Sequence, residues 1–488
     1  MKIKKAVKAF AAVMTVCVIT SAMCSCTKKT SIGSTETITW YMPKAVDNIT
    51  GQEAVMKEVN EYIKDKIGVT LDLKLIDKGN YSEKINVMFS AGDYFDMCML
   101  TSNSSYVRYA RDGLLVEVSD LLDKYGKDIQ AKNTDLAWDM VRVDGKLYSV
   151  KNQGTYSIAK AIVFKKDLVE KYNFDYKNVK CLADLEPYLK IIKENEPNIV
   201  PMYHETEEKV DPNYIDFGAG IVFNEKEDKF QCIFDTDYYV NTWKTKYDFY
   251  HKGYIAKDAI SISDPLTEKK SGKYAVMNTS GFYTEDGSKS SAQYGFPCVE
   301  SFTGNTPVTT TSGARTCISS TSKSPEKAME LLNLIWADDY LSNTLAYGVE
   351  GVNYTIDEAR TKEIGSKSVI PQTGNAQTWG IWHNYIGPLW DQWDSGWNRK
   401  ESLEYMQEIN ASAPKSKTAG FNFDTEPVKA AYAKSTAAIN TCASVFNIGC
   451  MDDFDSYFKS AKEELIKSDF NKVLVEINKQ YSDWKKNK

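Results

Sequence analysis

The sequence predicts an α/β protein of two lobes that ends in a helical region. Three observations carry this. Residues 37–100 alternate between strand and helix periodicity in the order β-α-β-α-β. Of the 488 residues, about 460 follow an export-type leader, more than one hydrophobic core ordinarily organises. Residues 427–488 carry helical periodicity alone.

Lys2, Lys4, Lys5 and Lys8 make the start of the chain positive, and residues 6–23 are mostly small and apolar. A few Thr and Ser interrupt that run, so it reads as a secretory leader; a bilayer-crossing helix needs about 20 predominantly apolar residues. It closes on Met23-Cys24-Ser25-Cys26, which resembles a bacterial lipobox, where a small residue precedes the cysteine that receives diacylglycerol. Ser25 puts Cys26 in that position, whereas Cys24 would have Met23 before it. The expectation is a signal peptide over 1–25, lipid on Cys26 and a polar tether to residue 36; a plain cleaved signal peptide is the alternative. Each buried acyl CH₂ contributes about 0.8 kcal/mol, so two or three chains hold a protein firmly on a membrane.

The net charge is −6 with acids and bases interspersed, which leaves no nucleic-acid footprint. Tyr (30) and Trp (10) are abundant. Their rings fill cores, and they also suit amphipathic ligands such as sugars. Seven of the ten cysteines follow Cys26: Cys98, Cys181, Cys232, Cys298, Cys317, Cys442 and Cys450. They are scattered and lack CxxC spacing, so buried thiols are expected; only Cys442 and Cys450 are close enough for a local bridge. The three histidines are far apart and none sits in HExxH, so no metal site is expected. No GxSxG, phosphate-loop or GxGxxG motif occurs; Gly218-Ala219-Gly220 lacks the third glycine. Paired carboxylates could hydrolyse a glycoside, but 66 dispersed acids single out no pair. Neither a catalytic residue nor a cofactor is assigned.

The elements follow in order. Residues 37–42 form a short strand. Val55, Val59, Tyr62, Ile63 and Ile67 share one face of a helix over 52–67, which Gly68 ends. Leu71, Leu73 and Leu75 alternate with polar residues, as a strand does. Asn80 with Glu83 reads as a capping box for a helix whose buried side is Ile85, Met88 and Phe89. Residues 95–100 are apolar enough for a buried strand. Such an order implies parallel strands, with the ligand crevice beyond their carboxyl ends. Asp144-Gly145 is the turn of a hairpin. Further strands are expected at 158–164 and 273–277, and helices at 166–172, 182–194 and 238–250; residues 210–235 stay undefined. Ser324-Pro325-Glu326 marks a helix start, with Ser as cap. Half of the tryptophans lie at Trp379, Trp382, Trp390, Trp393 and Trp397, the last two predicted to share a helix face.

In order, these segments resemble the family 1 extracellular solute-binding proteins of ABC importers, in the LipO-like lipoprotein subset. The residues that carry the resemblance are Ala91-Gly92-Asp93-Tyr94-Phe95-Asp96, Asp144-Gly145-Lys146-Leu147-Tyr148, Phe164-Lys165-Lys166-Asp167-Leu168, Pro325-Glu326-Lys327-Ala328 and Tyr347-Gly348-Val349-Glu350-Gly351-Val352-Asn353-Tyr354. Phe423-Asp424-x-x-Pro427 and Glu476-x-x-x-Gln480-x-x-x-Trp484 match the family's terminal domain. The family segment W-x-x-GNQF stands here as Trp379-Gly380-Ile381-Trp382-His383-Asn384-Tyr385.

The resemblance implies a periplasmic-binding-protein-like (type II) clam shell with a helical C-terminal region. A first α/β lobe would span 37–150 with about 280–345, a second 151–280 with about 350–420, and the helical domain 421–488. The implied role is capture of a polar solute, an oligosaccharide foremost, by a lipid-anchored monomer on the extracellular face that hands it to permease subunits. Tyr41, Trp379 and Trp382 are assigned to stacking, and Asp96, Asn103, Asn278 and Glu350 to hydroxyl recognition. Each has a structural alternative, Asp96 and Glu350 as holders of backbone turns. A surface carbohydrate-active enzyme, an adhesion module and a peptide receptor remain alternatives.

Overall fold

Strand β1 (Glu36–Pro43) opens the first sheet. In the computed structural model, residues 35–279, 283–309, 313–372, 379–396 and 399–486 are described. The leader with Cys26, and Ser280, Gly281, Gly374 and Trp397, lie outside them. Helix α1 (Gln52–Ile67) buries Val55, Val59 and Ile63 and ends at Gly68 (φ 72°). Strand β2 (Val69–Ile76) then runs parallel to β1 over its whole length. Helix α2 (Lys78–Ala91) leads to β3 (Met97–Leu100), parallel to β1 on its other side. Helix α3 (Asn103–Arg111) follows. The β-α-β-α-β order is as the periodicity predicts. The capping box is not: α2 starts two residues before Asn80, and Asp77 caps it without a side-chain bond.

The first sheet is completed from a distance by the antiparallel strand Arg315–Ile318 and the short strand Val150–Lys151. Helix Pro325–Ala337 covers it with Ala328, Leu331, Leu332 and Ile335, the expected stripe. Ser324 does not cap that helix; its hydroxyl bonds Glu36 instead.

The second sheet has the order Cys298–Asn305, Ala159–Lys165, Tyr274–Asn278, Val200–Met202. Cys298–Asn305, placed with the first lobe by its sequence position, pairs here instead. Residues 350–420 were expected with the second lobe, yet Tyr354, Val369, Trp379, Ile381 and Ile386 pack into the first core. The undefined stretch 210–235 forms a three-stranded antiparallel sheet, Tyr214–Gly218, Ile221–Asn224 and Lys229–Cys232.

Three helices, Lys429–Ile448, Phe454–Lys467 and Phe470–Lys486, make the C-terminal region. They do not form a core of their own. Phe446, Phe470, Val473, Ile477 and Tyr481 share one with Ile221, Val222 and Phe223 of the small sheet. Helix Asp237–His251 joins this core to the second lobe, placing Trp243 in one and Phe249 in the other. Gly449 (φ 83°) sits at that junction. A Cβ there would lie 2.3 Å from the Lys246 carbonyl oxygen and 2.5 Å from the Tyr247 nitrogen, both backbone. Gly449→Ala is expected to cost about 3 kcal/mol or more, read as a lower urea midpoint.

Of the tryptophan cluster, Trp379 and Trp393 are packing residues. Trp393 precedes the strand Asp394–Ser395 rather than joining a helix. Its ring stacks on Tyr347 at 5.9 Å and takes the Lys367 ammonium at 3.9 Å. Cys442 and Cys450 are free thiols, as are the other five described cysteines. Cys98 and Cys317 face each other across the ladder. Among the described residues no helix is long and apolar enough to cross a membrane.

Candidate functional site

Strand register brings one end of each sheet to a common crevice. In the first sheet Pro43 pairs with Ile76, and Arg315 pairs with both Leu100 and Lys151, so these residues mark one rim. In the second sheet Asn278 pairs with Ile162, Asn305 with Ala159 and Val276 with Met202, which sets the other rim. Residues 152–158 cross between the rims. Ser157 Oγ donates to the Thr306 carbonyl at 2.6 Å, and the Ile158 amide donates to Thr306 Oγ1 at 2.9 Å, which binds this crossing to the returning one. A third crossing lies beside them: Val308 pairs with Lys415, its amide 2.8 Å from the Pro414 carbonyl. Three adjacent extended connections between two separately packed halves are the ingredients of a hinge.

The sequence-predicted residues divide on this frame. Asn103, Asn278 and Trp382 reach the rims. Asn103 follows β3, with Ser102 capping α3. Its amide oxygen accepts from Arg315 Nη1 at 2.9 Å, and its amide nitrogen donates to Asn422 Oδ1 at 2.5 Å. Asn278 ends its strand and accepts from Lys269 Nζ at 3.3 Å. Trp382 is half-buried beyond the carboxyl end of β2, where the Lys78 ammonium lies 5.7 Å from its ring. Its Nε1 is enclosed and has no partner among the described residues.

The other four are placed elsewhere. Trp379 is fully enclosed, its Nε1 donating to the Leu345 carbonyl at 3.0 Å, so it offers no face to a ligand. Asp96 lies at the amino end of β3, opposite the rim. It is buried and accepts from the Thr39 amide (2.9 Å), Tyr94 (3.0 Å) and Ser322 (2.6 Å), a turn-holding role. Tyr41 sits two residues inside β1, edge-on to Phe95 at 5.7 Å. Glu350 is an exposed turn residue whose carboxylate pairs with Lys367 at 3.6 Å.

Sequence reasoning missed the cations. Arg315 is fully enclosed, its guanidinium 4.5 Å from the centre of the Tyr106 ring. Lys151 is buried beside it, its Nζ donating to the Ala314 carbonyl at 3.3 Å. Across the crevice, Lys269 is buried between the Tyr203 and Tyr294 rings, at 5.2 and 5.8 Å. Only Arg315, in the short strand ahead of Cys317 and Ile318, left a local signal; Lys151 is followed by Asn152-Gln153, and Lys269 lies in the polar helix Pro265–Lys270. Burial pushes the Lys269 ammonium down, and burial likewise lowers His204. Lys151 is pushed down to about 7, by burial first and by Arg315 second.

A base lowered in the folded state binds fewer protons than the unfolded chain between about pH 7 and its ordinary 10.5. Folding is therefore penalised below pH 7, and the penalty lifts as pH rises through that window. Lys151→Met is expected to be more stable than the parent chain at pH 6, with the advantage shrinking by about 3 kcal/mol by pH 9 in urea titrations. Parallel profiles for the two proteins would contradict a buried ammonium.

Two facing rims with a hinge, polar donors and one half-buried indole can enclose a solute. They present no nucleophile–base pair, and among the described residues no group of metal-ligating side chains. The family described as bacterial extracellular solute-binding protein matches residues 47–342, more than half of the chain. The chain belongs to this family. Beyond that match, residues 417–486 match a separate domain of unknown function, DUF3502. A carbohydrate ABC transporter substrate-binding protein of Streptococcus pneumoniae serotype 4 is 28% identical over 456 residues, 89% of each chain. The N-glycan transport solute-binding protein NgtS of S. pneumoniae is 26% identical over 93% of this chain and 99% of its own, with a TM-score of 0.76. NgtS in complex with Man5GlcNAc matches over the same shares at a TM-score of 0.62. The two-lobed fold of the family, with its crevice between the lobes, is the fold of this chain.

Proposed function

We propose that this chain is the substrate-binding lipoprotein of an ABC importer and that it captures an oligosaccharide. The observation that carries the reading is the crevice itself: two rims of hydrogen-bonding groups on halves joined by three adjacent crossings. Near-full-length similarity to a carbohydrate substrate-binding protein supports the solute class. The two NgtS structures match this one at 0.76 and 0.62 with the same coverage, the lower value belonging to the glycan complex. A lower similarity for the glycan complex is what closure on the solute would produce, and it supports that mechanism.

Closure would bring the Trp382 ring over the apolar face of a sugar while Asn278 and Asn103, held from behind by the buried Lys269 and Arg315, meet its hydroxyls. Withdrawn from water, those bonds strengthen, and the closed form is what permease subunits recognise. The chain works as a monomer held on the extracellular face of the membrane by lipid on Cys26. Cys26→Ser is expected to leave the protein in the culture medium and to abolish incorporation of labelled palmitate. Retention of the variant on the membrane with label would refute the anchor. Isothermal titration of the soluble part with a panel of oligosaccharides tests capture. Saturable binding of at least one supports it, and indifference to all, with binding of peptides, refutes the solute class.

A further inference from the structure

The motif residues of the terminal region line a cavity that solute capture in the crevice does not use. Glu476, Gln480 and Trp484 recur every fourth residue and share one face of their helix. They look across a cavity of about 940 Å³ at Arg111 and Asp144 of the first lobe. Volumes of this size suit small-molecule sites. The wall on the terminal side is rigid. Gln480 Nε2 donates to the Asp424 carbonyl and to Glu476, both at 2.9 Å, and the Asp424 amide donates back to Gln480 at 2.8 Å. The Trp484 ring is half-buried and backed by Tyr481 and Phe421, each at 5.7 Å. The opposite wall is Arg111, which holds Asp144 through two bonds of 3.0 and 3.1 Å and lies 3.5 Å from Asp424.

Gly420 makes the opening possible. Its φ is 93°, and a Cβ would lie 3.2 Å from the Asp139 carbonyl oxygen and 3.4 Å from Trp484. A side chain there would crowd the space between the lobe and the indole.

The lining decides the ligand class. Three cationic and five carboxylate side chains surround the cavity, and Lys415 and Lys486 from outside pair with two of the carboxylates. The charges nearly cancel, which suits neither a lone anion nor a lone cation. What remains is an aromatic face beside paired donors and acceptors, the surface a neutral sugar ring matches. Helix α3 runs from the crevice rim at Asn103 to this cavity at Arg111, about 12 Å at the usual rise. An oligosaccharide of several rings spans that length.

We propose that the cavity between the first lobe and the C-terminal helices is a second saccharide site, taking the distal neutral sugars of a long oligosaccharide whose other end lies in the crevice. This rests on the oligosaccharide-receptor reading above. The test titrates the full mature chain with a mannose disaccharide and with Man5GlcNAc. Trp484→Ala is expected to weaken Man5GlcNAc about tenfold and to leave the disaccharide unchanged. Asp144→Asn, at an exposed left-handed turn position that Asn tolerates, is expected to weaken only the longer probe, about threefold. Should Trp484→Ala fail to fold, 5-fluorotryptophan labelling of the parent chain supplies the readout: the Trp484 resonance must shift with Man5GlcNAc and stay fixed with the disaccharide. Equal effects on both probes, or no effect on either, overturn the second site while capture stands. Binding by the parent chain of neither probe, nor of any oligosaccharide of the panel, overturns both.

Discussion

A chain ended at Ala419 is expected not to fold in its second half. The C-terminal helices look like an appendage in sequence, but they complete the core of the small sheet. Phe446, Phe470, Val473, Ile477 and Tyr481 are each no more than 2% exposed. Their partners Ile221, Val222 and Phe223 are fully enclosed only because the helices cover them. Removing five such side chains forfeits about 10 kcal/mol of burial. That is comparable to the whole stability of an ordinary domain, about 5–15 kcal/mol. The loss spreads further, because helix Asp237–His251 serves this core and the second lobe at once. Truncation should therefore yield insoluble protein, or a species whose circular dichroism and hydrogen exchange lack a folded second lobe. A soluble, ligand-competent truncation product would contradict the shared core.

Two tryptophans three residues apart should behave in opposite ways. Trp382 is half-buried at the crevice rim, with an enclosed Nε1 that has no partner among the described residues. Trp382→Ala is expected to weaken oligosaccharide binding about thirtyfold, roughly 2 kcal/mol, while the melting temperature falls by no more than about 4 °C. Trp379 is fully enclosed and bonded to Leu345. Trp379→Ala is expected to cost about 3–5 kcal/mol of stability, and binding would fall only through loss of folded protein. A Trp382 variant with unchanged affinity would remove the indole from the ligand's path. Trp379→Ala, if stable and defective in binding, would reverse the assignment.

The same contrast explains what the sequence disclosed. Local period was readable wherever it ran long enough. Helix Asp237–His251, α1 and β2 emerged from apolar spacing because each buries one face, and β3, buried on both, emerged from its continuous apolar run. The strands at 214–232 were missed because each has only four or five residues between Gly- and Asp-rich turns. Strand and turn signals overlap at that length. Lobe membership failed for a different reason. Whether Val369 packs into the first core, or Cys298 joins the second sheet, depends on contacts across more than a hundred residues, which no local pattern encodes.

Site residues failed in a third way. Asp96 and Asn103 flank one strand and look alike in sequence, yet only Asn103 stands at its carboxyl end. Arg315 and Lys151 went unnoticed because a single cation in a strand of two to four residues carries no period. Register, not composition, brings them together: Arg315 pairs directly with Lys151.

The central claim is that two halves close on an oligosaccharide and release it unaltered. Small-angle X-ray scattering of the mature chain, with and without a saturating oligosaccharide recovered afterwards for mass spectrometry, tests it most directly. The account predicts a smaller radius of gyration in the bound state and a recovered saccharide of unchanged mass. Cleaved sugar, or saturating binding with no change in dimensions, would contradict it.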